Sequence, residues 1–241
     1  MKQAPDPITR LNRFWKQAAV GPYGDGGWPV VLDGRLARTP EHHPLILPTE
    51  ALAAMVAAEW EAQKDYVVFA AMPATRLAFT AIDRVGPARE ALAEEVAKYA
   101  GSDLLCYFAD APEALRQREE AAWSPLLDWA EQELGLRFVR ASGIVHQAQP
   151  EQTVARAREL ALGLDHWRLA AVSWAAALYG SAVLALAVER GRLDGEAAFE
   201  LSRLDEAFQE EQWGVDAEAA ERTAKLREEA GMIGRWLGAL G

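Results

Sequence analysis

Apolar positions change their period near residue 50. Before it, short apolar runs alternate with turn residues: Phe14 to Val20, Trp28-Pro29-Val30-Val31-Leu32, Arg35-Leu36-Ala37-Arg38-Thr39 and Leu45-Ile46-Leu47. Runs of this length, bounded by Gly, Pro and Asp, read as strands. Asp33-Gly34 separates two of them, and such a pair predicts a tight hairpin because both residues accept positive φ. Gly24-Asp25-Gly26-Gly27 predicts a flexible turn. It lacks the Gly-Lys-Ser/Thr ending and the following helix of a phosphate loop.

From Thr49 the spacing becomes helical. Thr49 predicts an N-cap with Glu50 in the first turn, and Leu52, Met55, Val56 and Trp60 follow at helical spacing. Further helices are expected over 75–84, 87–100, 112–134, 151–162, 166–189, 195–213 and 216–240. Pro87 and Pro112 stand at starts, and Gly101, Gly135, Gly163, Gly191 and Gly214 stand near ends, as helix chemistry favours. The fold class expected is α+β. A small N-terminal α+β domain with an antiparallel sheet, residues 1–75, precedes a larger all-α helical bundle domain, residues 76–241.

Leu169 to Val188 carries no charge and is long enough to span a bilayer. Asp165 and Glu189 close its ends, no basic cluster marks a cytoplasmic side, and Ala, Ser and Gly fill it. It reads as the central helix of a soluble bundle, apolar all round because neighbours surround it. The chain is not expected to be a membrane protein.

Composition narrows the classes. Of 241 residues, 51% are hydrophobic, enough for a real core. A net charge of −11 argues against nucleic acid and anionic membranes, which need Lys and Arg. The single cysteine, Cys106, excludes an intrachain disulfide and reads as a buried thiol in the run Leu104 to Phe108. The first seven residues hold no apolar signal core, so a cytoplasmic protein is expected.

The negative charge is concentrated. Residues 194–221 hold ten Asp/Glu and one Arg, a net −9. On one continuous helix, Ala197, Leu201, Leu204 and Phe208 form a stripe toward the core, and Glu196, Glu200, Arg203, Glu206 and Glu210 oppose it. Phe199, Glu206 and Trp213, seven apart, then lie along one edge of the acidic side. Aromatics beside a charged rim fit a partner-binding edge. The plainer alternatives are a solvated face or an edge covered by a second helix.

Catalytic patterns are sparse. His42, His43, His146 and His166 lack metal-ligand spacing, and no nucleophile elbow or dinucleotide fingerprint occurs. Glu206 and Glu210 offer a general acid and base or a divalent-cation site, but the Glu-x-x-His of bundle metal helices is missing. No catalytic residue, metal or cofactor is expected.

The segment Leu201-Ser202-Arg203-Leu204-Asp205-Glu206-Ala207-Phe208-Gln209, ending in Gln212-Trp213-Gly214, resembles the signature of the assembly chaperones of the F-type ATP synthase. Arg13-Phe14-Trp15, Leu32 to Leu36 with Thr39-Pro40, Ala58 to Gln63, Asp103 to Tyr107 and Trp123 to Ala130 agree with it. The likeness runs from about Arg13 to Trp213 and is looser beyond Gly214. It implies a bacterial member that is no enzyme and uses no ATP. Such a protein binds the unassembled α subunit of the catalytic head and shields the surface that contacts β. The family's essential glutamate maps to Glu206, with Gln209 and Trp213 beside it and Arg203 nearby. A carboxylate- or metal-dependent enzyme built on Glu206 and Glu210, and a structural subunit of another complex, are the competing readings.

Overall fold

The computed structural model of the chain describes residues 11–143 and 145–241. The expectation for the first seven residues lies outside them. Contacts divide the chain into two compact units, one reaching Asp83 and the other starting at Arg84.

In the first unit, β1 (Ala18–Val20), β2 (Trp28–Leu32), β3 (Arg35–Leu36) and β4 (Ile46–Leu47) form an antiparallel sheet in which β2 pairs with all three others. Ala18 faces Leu32, Val31 faces Leu36 and Trp28 faces Leu47. The hairpin between β2 and β3 turns at Asp33 and Gly34, with φ of 49° and 75°. Asp33 also accepts the N–H groups of Lys16 and Gln17 at 2.9–3.1 Å. β1 is shorter than the apolar run predicts, because Arg13 holds the segment before it. Its guanidinium donates to the carbonyls of Trp15, Lys16 and Glu61 at 3.0, 2.7 and 2.9 Å, and to that of Gln63.

Helix α1 (Glu50–Glu61) packs on the sheet, and Thr49 caps it by accepting the Leu52 N–H at 3.2 Å. Val30, Leu45, Leu47, Leu52, Val56 and Trp60 are buried between them. The Trp15 and Trp60 rings meet in a tilted contact with their centres 5.0 Å apart. Glu59 caps the next helix, α2 (Pro73–Phe79), accepting the Ala74 and Thr75 N–H groups and the Thr75 hydroxyl, each at 2.7 Å. A π-turn (Thr80–Arg84) leads into α3 (Val85–Gly101). The wide turn falls just before Pro87, whose ring and missing N–H disturb the ladder there.

The second unit is helical. Besides α3 it holds β5 (Tyr107–Phe108), α4 (Glu113–Trp129), β6 (Ala141–Ser142) and α5 (Glu151–Leu162). These are followed by α6 (His166–Tyr179), α7 (Ala182–Glu189), α8 (Gly195–Ser202), α9 (Leu204–Trp213) and α10 (Ala217–Gly238). β5 and β6 pair in parallel. α3 packs on α5 and α6, α10 on α8 and α6, and α4 on α7 and α9. The α+β class is therefore that of the sequence reading.

Two expected helices are each divided. The run 166–189 breaks where Gly180 adopts φ 65° and Ser181 caps α7, accepting the Leu184 N–H at 3.0 Å. Both halves lie in the core, with Ala182 to Val188 buried throughout. No helix among the described residues is long and apolar enough to cross a membrane. Cys106 is buried, and burial pushes its thiol pKa well up.

Asp103 joins the break to the core. It is fully buried and accepts the Ser181 hydroxyl at 2.7 Å, the Val183 N–H at 3.0 Å and the Leu105 N–H at 3.2 Å. Burial raises its pKa to about 6, and those donors oppose the rise.

Candidate protein-binding site

The second division lies in the acidic run. The Ser202 hydroxyl donates to the Phe199 carbonyl at 2.7 Å, taking the acceptor that the Arg203 N–H needs to continue the helix. Trp123 Nε1, from α4, donates to the Leu201 carbonyl at 3.0 Å, taking the acceptor due to Asp205. Arg203 leaves helical geometry at φ −116°, ψ 22°, and α9 begins at Leu204.

The division corrects the helical-wheel expectation. Phe199, Glu206 and Trp213 do not line one edge. Phe199 is 2% exposed, packed into the bundle, with the Arg203 guanidinium 6.0 Å from its ring centre. Glu206 and Trp213 both lie on α9 and are open to solvent, Trp213 at 80% exposure. Arg203 sits between two carboxylates, 3.6 Å from Glu206 and 3.4 Å from Glu210.

The negative charge is partly spent inside the fold. Asp194 caps α8 and Asp216 caps α10. Arg227 pairs with Glu200 at 3.0 Å, and Lys225 pairs with Glu221 at 2.7 Å. Arg118 of α4 holds both oxygens of Glu211. Asp205 and Glu206 stay exposed on the first turn of α9, where the helix N-terminus favours negative charge.

Beside α9 runs an open groove of about 1370 Å³. Leu104, Tyr107 and Phe108 form one wall, and Leu115, Arg118, Glu119 and Trp123 of α4 line it further. Asp205, Phe208, Gln209, Gln212 and Trp213 of α9 form the facing wall. α9 is held over α4 by Phe208, which lies under the Arg118 guanidinium at 5.0 Å. Gln209 is oriented by its Nε2, which donates to Asp205 at 3.0 Å.

The structure thus brings Gln209 and Trp213 to the groove and leaves Glu206 and Arg203 on the flank next to it. Phe199 lies beneath. Asp205, Gln212, Arg118 and Glu119 escaped the sequence reading as site residues. Their signal was available in part: the stretches Asp103 to Tyr107 and Trp123 to Ala130, singled out by resemblance, supply Leu104, Tyr107 and Trp123 to the same walls.

Glu119 is unusual among these residues. It is 2% exposed, and its Oε2 accepts the Ala109 N–H at 2.6 Å. Burial raises its pKa, and the charges of Asp205 and Glu120 push the same way, against the Ala109 hydrogen bond.

Comparison with known proteins accounts for this architecture. The crystal structure of Atp12 from Paracoccus denitrificans is 40% identical, with a TM-score of 0.86 over 96% of this chain and 99% of its own. The chain belongs to the ATP12 chaperone family. The family's sequence description, "ATP12 chaperone protein", matches residues 12–131. A putative chaperone from Agrobacterium tumefaciens is 39% identical at a TM-score of 0.86, covering 99% of this chain and 93% of its own. A curated relative, "Protein atp12, mitochondrial" of Schizosaccharomyces pombe, is 26% identical over 230 residues, 90% of this chain and 79% of that protein.

Proposed function

We propose that this ATP12-family chain is a cytoplasmic, ATP-independent chaperone for assembly of the F-type ATP synthase. It binds the unassembled α subunit of the catalytic head and shields the surface that β later covers. The supporting observation is Trp213, 80% exposed at the mouth of an apolar groove beside the Glu206 flank. Large rings are typical anchors of protein interfaces, and rim charges speed and orient encounter. An unassembled subunit exposes apolar surface that aggregates unless covered. Release needs no nucleotide: a β subunit that binds the same surface more tightly displaces the chaperone by mass action. The chain does no catalysis in this reading. Arg203 already supplies the cation between Glu206 and Glu210, which weighs against a metal-dependent enzyme at that pair.

Capture of purified free α subunit by the tagged chain tests the proposal. Glu206→Lys is expected to leave the melting temperature unchanged and to weaken capture about tenfold. Capture at the wild-type level overturns the assignment of the flank. Failure of the wild-type chain to capture free α at all overturns the choice of client.

A further inference from the structure

Glu119 presents a charge with incomplete compensation. A carboxylate has two oxygens and about four acceptor positions. Among the described residues, Glu119 receives one hydrogen bond, from the Ala109 N–H to Oε2, and no cation pairs with it. Its side chain lies nine-tenths or more out of solvent, yet it lines the groove. Its Oε1 has no protein donor among the described residues and is not sealed from solvent, so a cation or donor entering the groove can reach it, whereas an apolar occupant would cover it unpaired.

The neighbouring groups do not supply one. Arg118, next in sequence, is committed to Glu211 on both oxygens. Arg116 is paired with Glu120 at 3.0 Å. Asp205 faces the same groove from α9 and adds a second negative charge, near enough to raise the Glu119 pKa. Asp110 is a third carboxylate on the lining. Around these charges the lining is apolar and aromatic: Phe108, Leu115, Trp123, Phe208 and Trp213. A surface of this kind complements a basic side chain embedded in an apolar segment. It does not complement a purely apolar helix, which would bury Glu119 further without pairing it.

We propose that the groove takes an apolar segment of the client that carries one Arg or Lys, and that Glu119 and Asp205 together receive its charge. This deepens the client-binding reading above and rests on it. Glu206 steers from outside; Glu119 reads the bound segment from within. A guanidinium suits the task best, since its planar fork bridges two carboxylates.

The test uses the full chain and purified free α subunit, with affinities and off-rates at low and high salt. Glu119→Gln keeps an acceptor for the Ala109 N–H and removes the charge. It is expected to weaken binding at least about tenfold, mainly through a faster off-rate, with the loss persisting at high salt because the pair is buried. Ala114→Trp, on an exposed lining position, is expected to block the groove to a similar extent without unfolding the chain. The Glu206→Lys loss is expected to shrink at high salt. If Glu119→Gln and Ala114→Trp both bind α at the wild-type level while Glu206→Lys does not, the groove proposal fails and the flank reading stands. If Glu206→Lys also binds normally, the flank assignment fails with it; only a wild-type chain that does not capture free α overturns the client-binding reading. A Glu119→Gln loss that disappears at high salt assigns this carboxylate to steering and overturns its role as a buried receiver.

Discussion

Arg118 holds Glu211 in a two-pronged grip. Nη1 donates to both carboxylate oxygens, at 2.9 and 2.8 Å, across 93 residues of sequence. The same guanidinium covers the Phe208 ring. One side chain of α4 thereby fixes the register of α9 and the width of the groove between them. Both partners are about half exposed, so the ion pair by itself contributes only about 0.5–1 kcal/mol. Arg118→Ala is expected to lower global stability by about 1 kcal/mol while loosening α9 selectively. Hydrogen exchange checks this: amides of 204–213 should lose protection well beyond those of α6 and α7. Uniform change across the unit would mean that Arg118 does not set the position of α9.

Asp103 predicts a pH dependence. Its folded pKa is raised to about 6 from an ordinary 3.8, with burial the largest cause. The folded state therefore holds a proton that the unfolded chain releases between about pH 4 and 6. Unfolding free energy from this group is full below that window and falls as pH rises through it, by on the order of 3 kcal/mol. Asp103→Asn lacks the titration. Urea unfolding at about pH 4.5 and 7 should show the variant gaining on the wild type by 1–3 kcal/mol, roughly, at the higher pH. An unchanged difference at the two pH values would show that the carboxyl does not titrate there.

Gly195 predicts a steric limit. A Cβ at this position runs into the Ala230 carbonyl, and the Gly234 N lies 3.0 Å from it. The backbones of α8 and α10 touch here because neither side carries a side chain at the crossing. Gly195→Ala is expected to cost about 3 kcal/mol, at the upper end of overpacking effects. Gly238, at the end of α10, has open space around an added Cβ. Gly238→Ala should be neutral or stabilising by about 0.5 kcal/mol. Thermal unfolding of the two variants gives the contrast directly.

Trp213 predicts a separation of stability from binding. With its ring open to water, Trp213→Ala should change unfolding free energy by less than about 0.5 kcal/mol. Capture of the α subunit should still fall several-fold. A large loss of stability would assign the ring a structural role.

Much of the architecture is legible without coordinates. The Asp33-Gly34 hairpin, the Thr49 cap, the 151–162 helix and the α+β class all follow from local chemistry, since each depends on residues a few positions apart. The candidate site is harder to read. Glu206 and Trp213 stand out by composition and by resemblance, and Gln209 by resemblance, whereas Glu119 looks like any acidic residue on an amphipathic helix. Only its burial beneath α9 gives it weight.

The two helix divisions mark the boundary between these kinds of information. Gly180 and Ser181 carry theirs in sequence, as a left-handed residue followed by a capping hydroxyl. The division at Arg203 depends on Ser202 beside it and also on Trp123, 78 residues away from the carbonyl it takes. Periodicity along a chain reports which face of a helix is apolar, provided that the helix continues. Whether it continues was settled here by the Ser202 hydroxyl together with a donor arriving from another helix, and the division leaves Phe199 buried on α8 and Trp213 at the groove's mouth on α9.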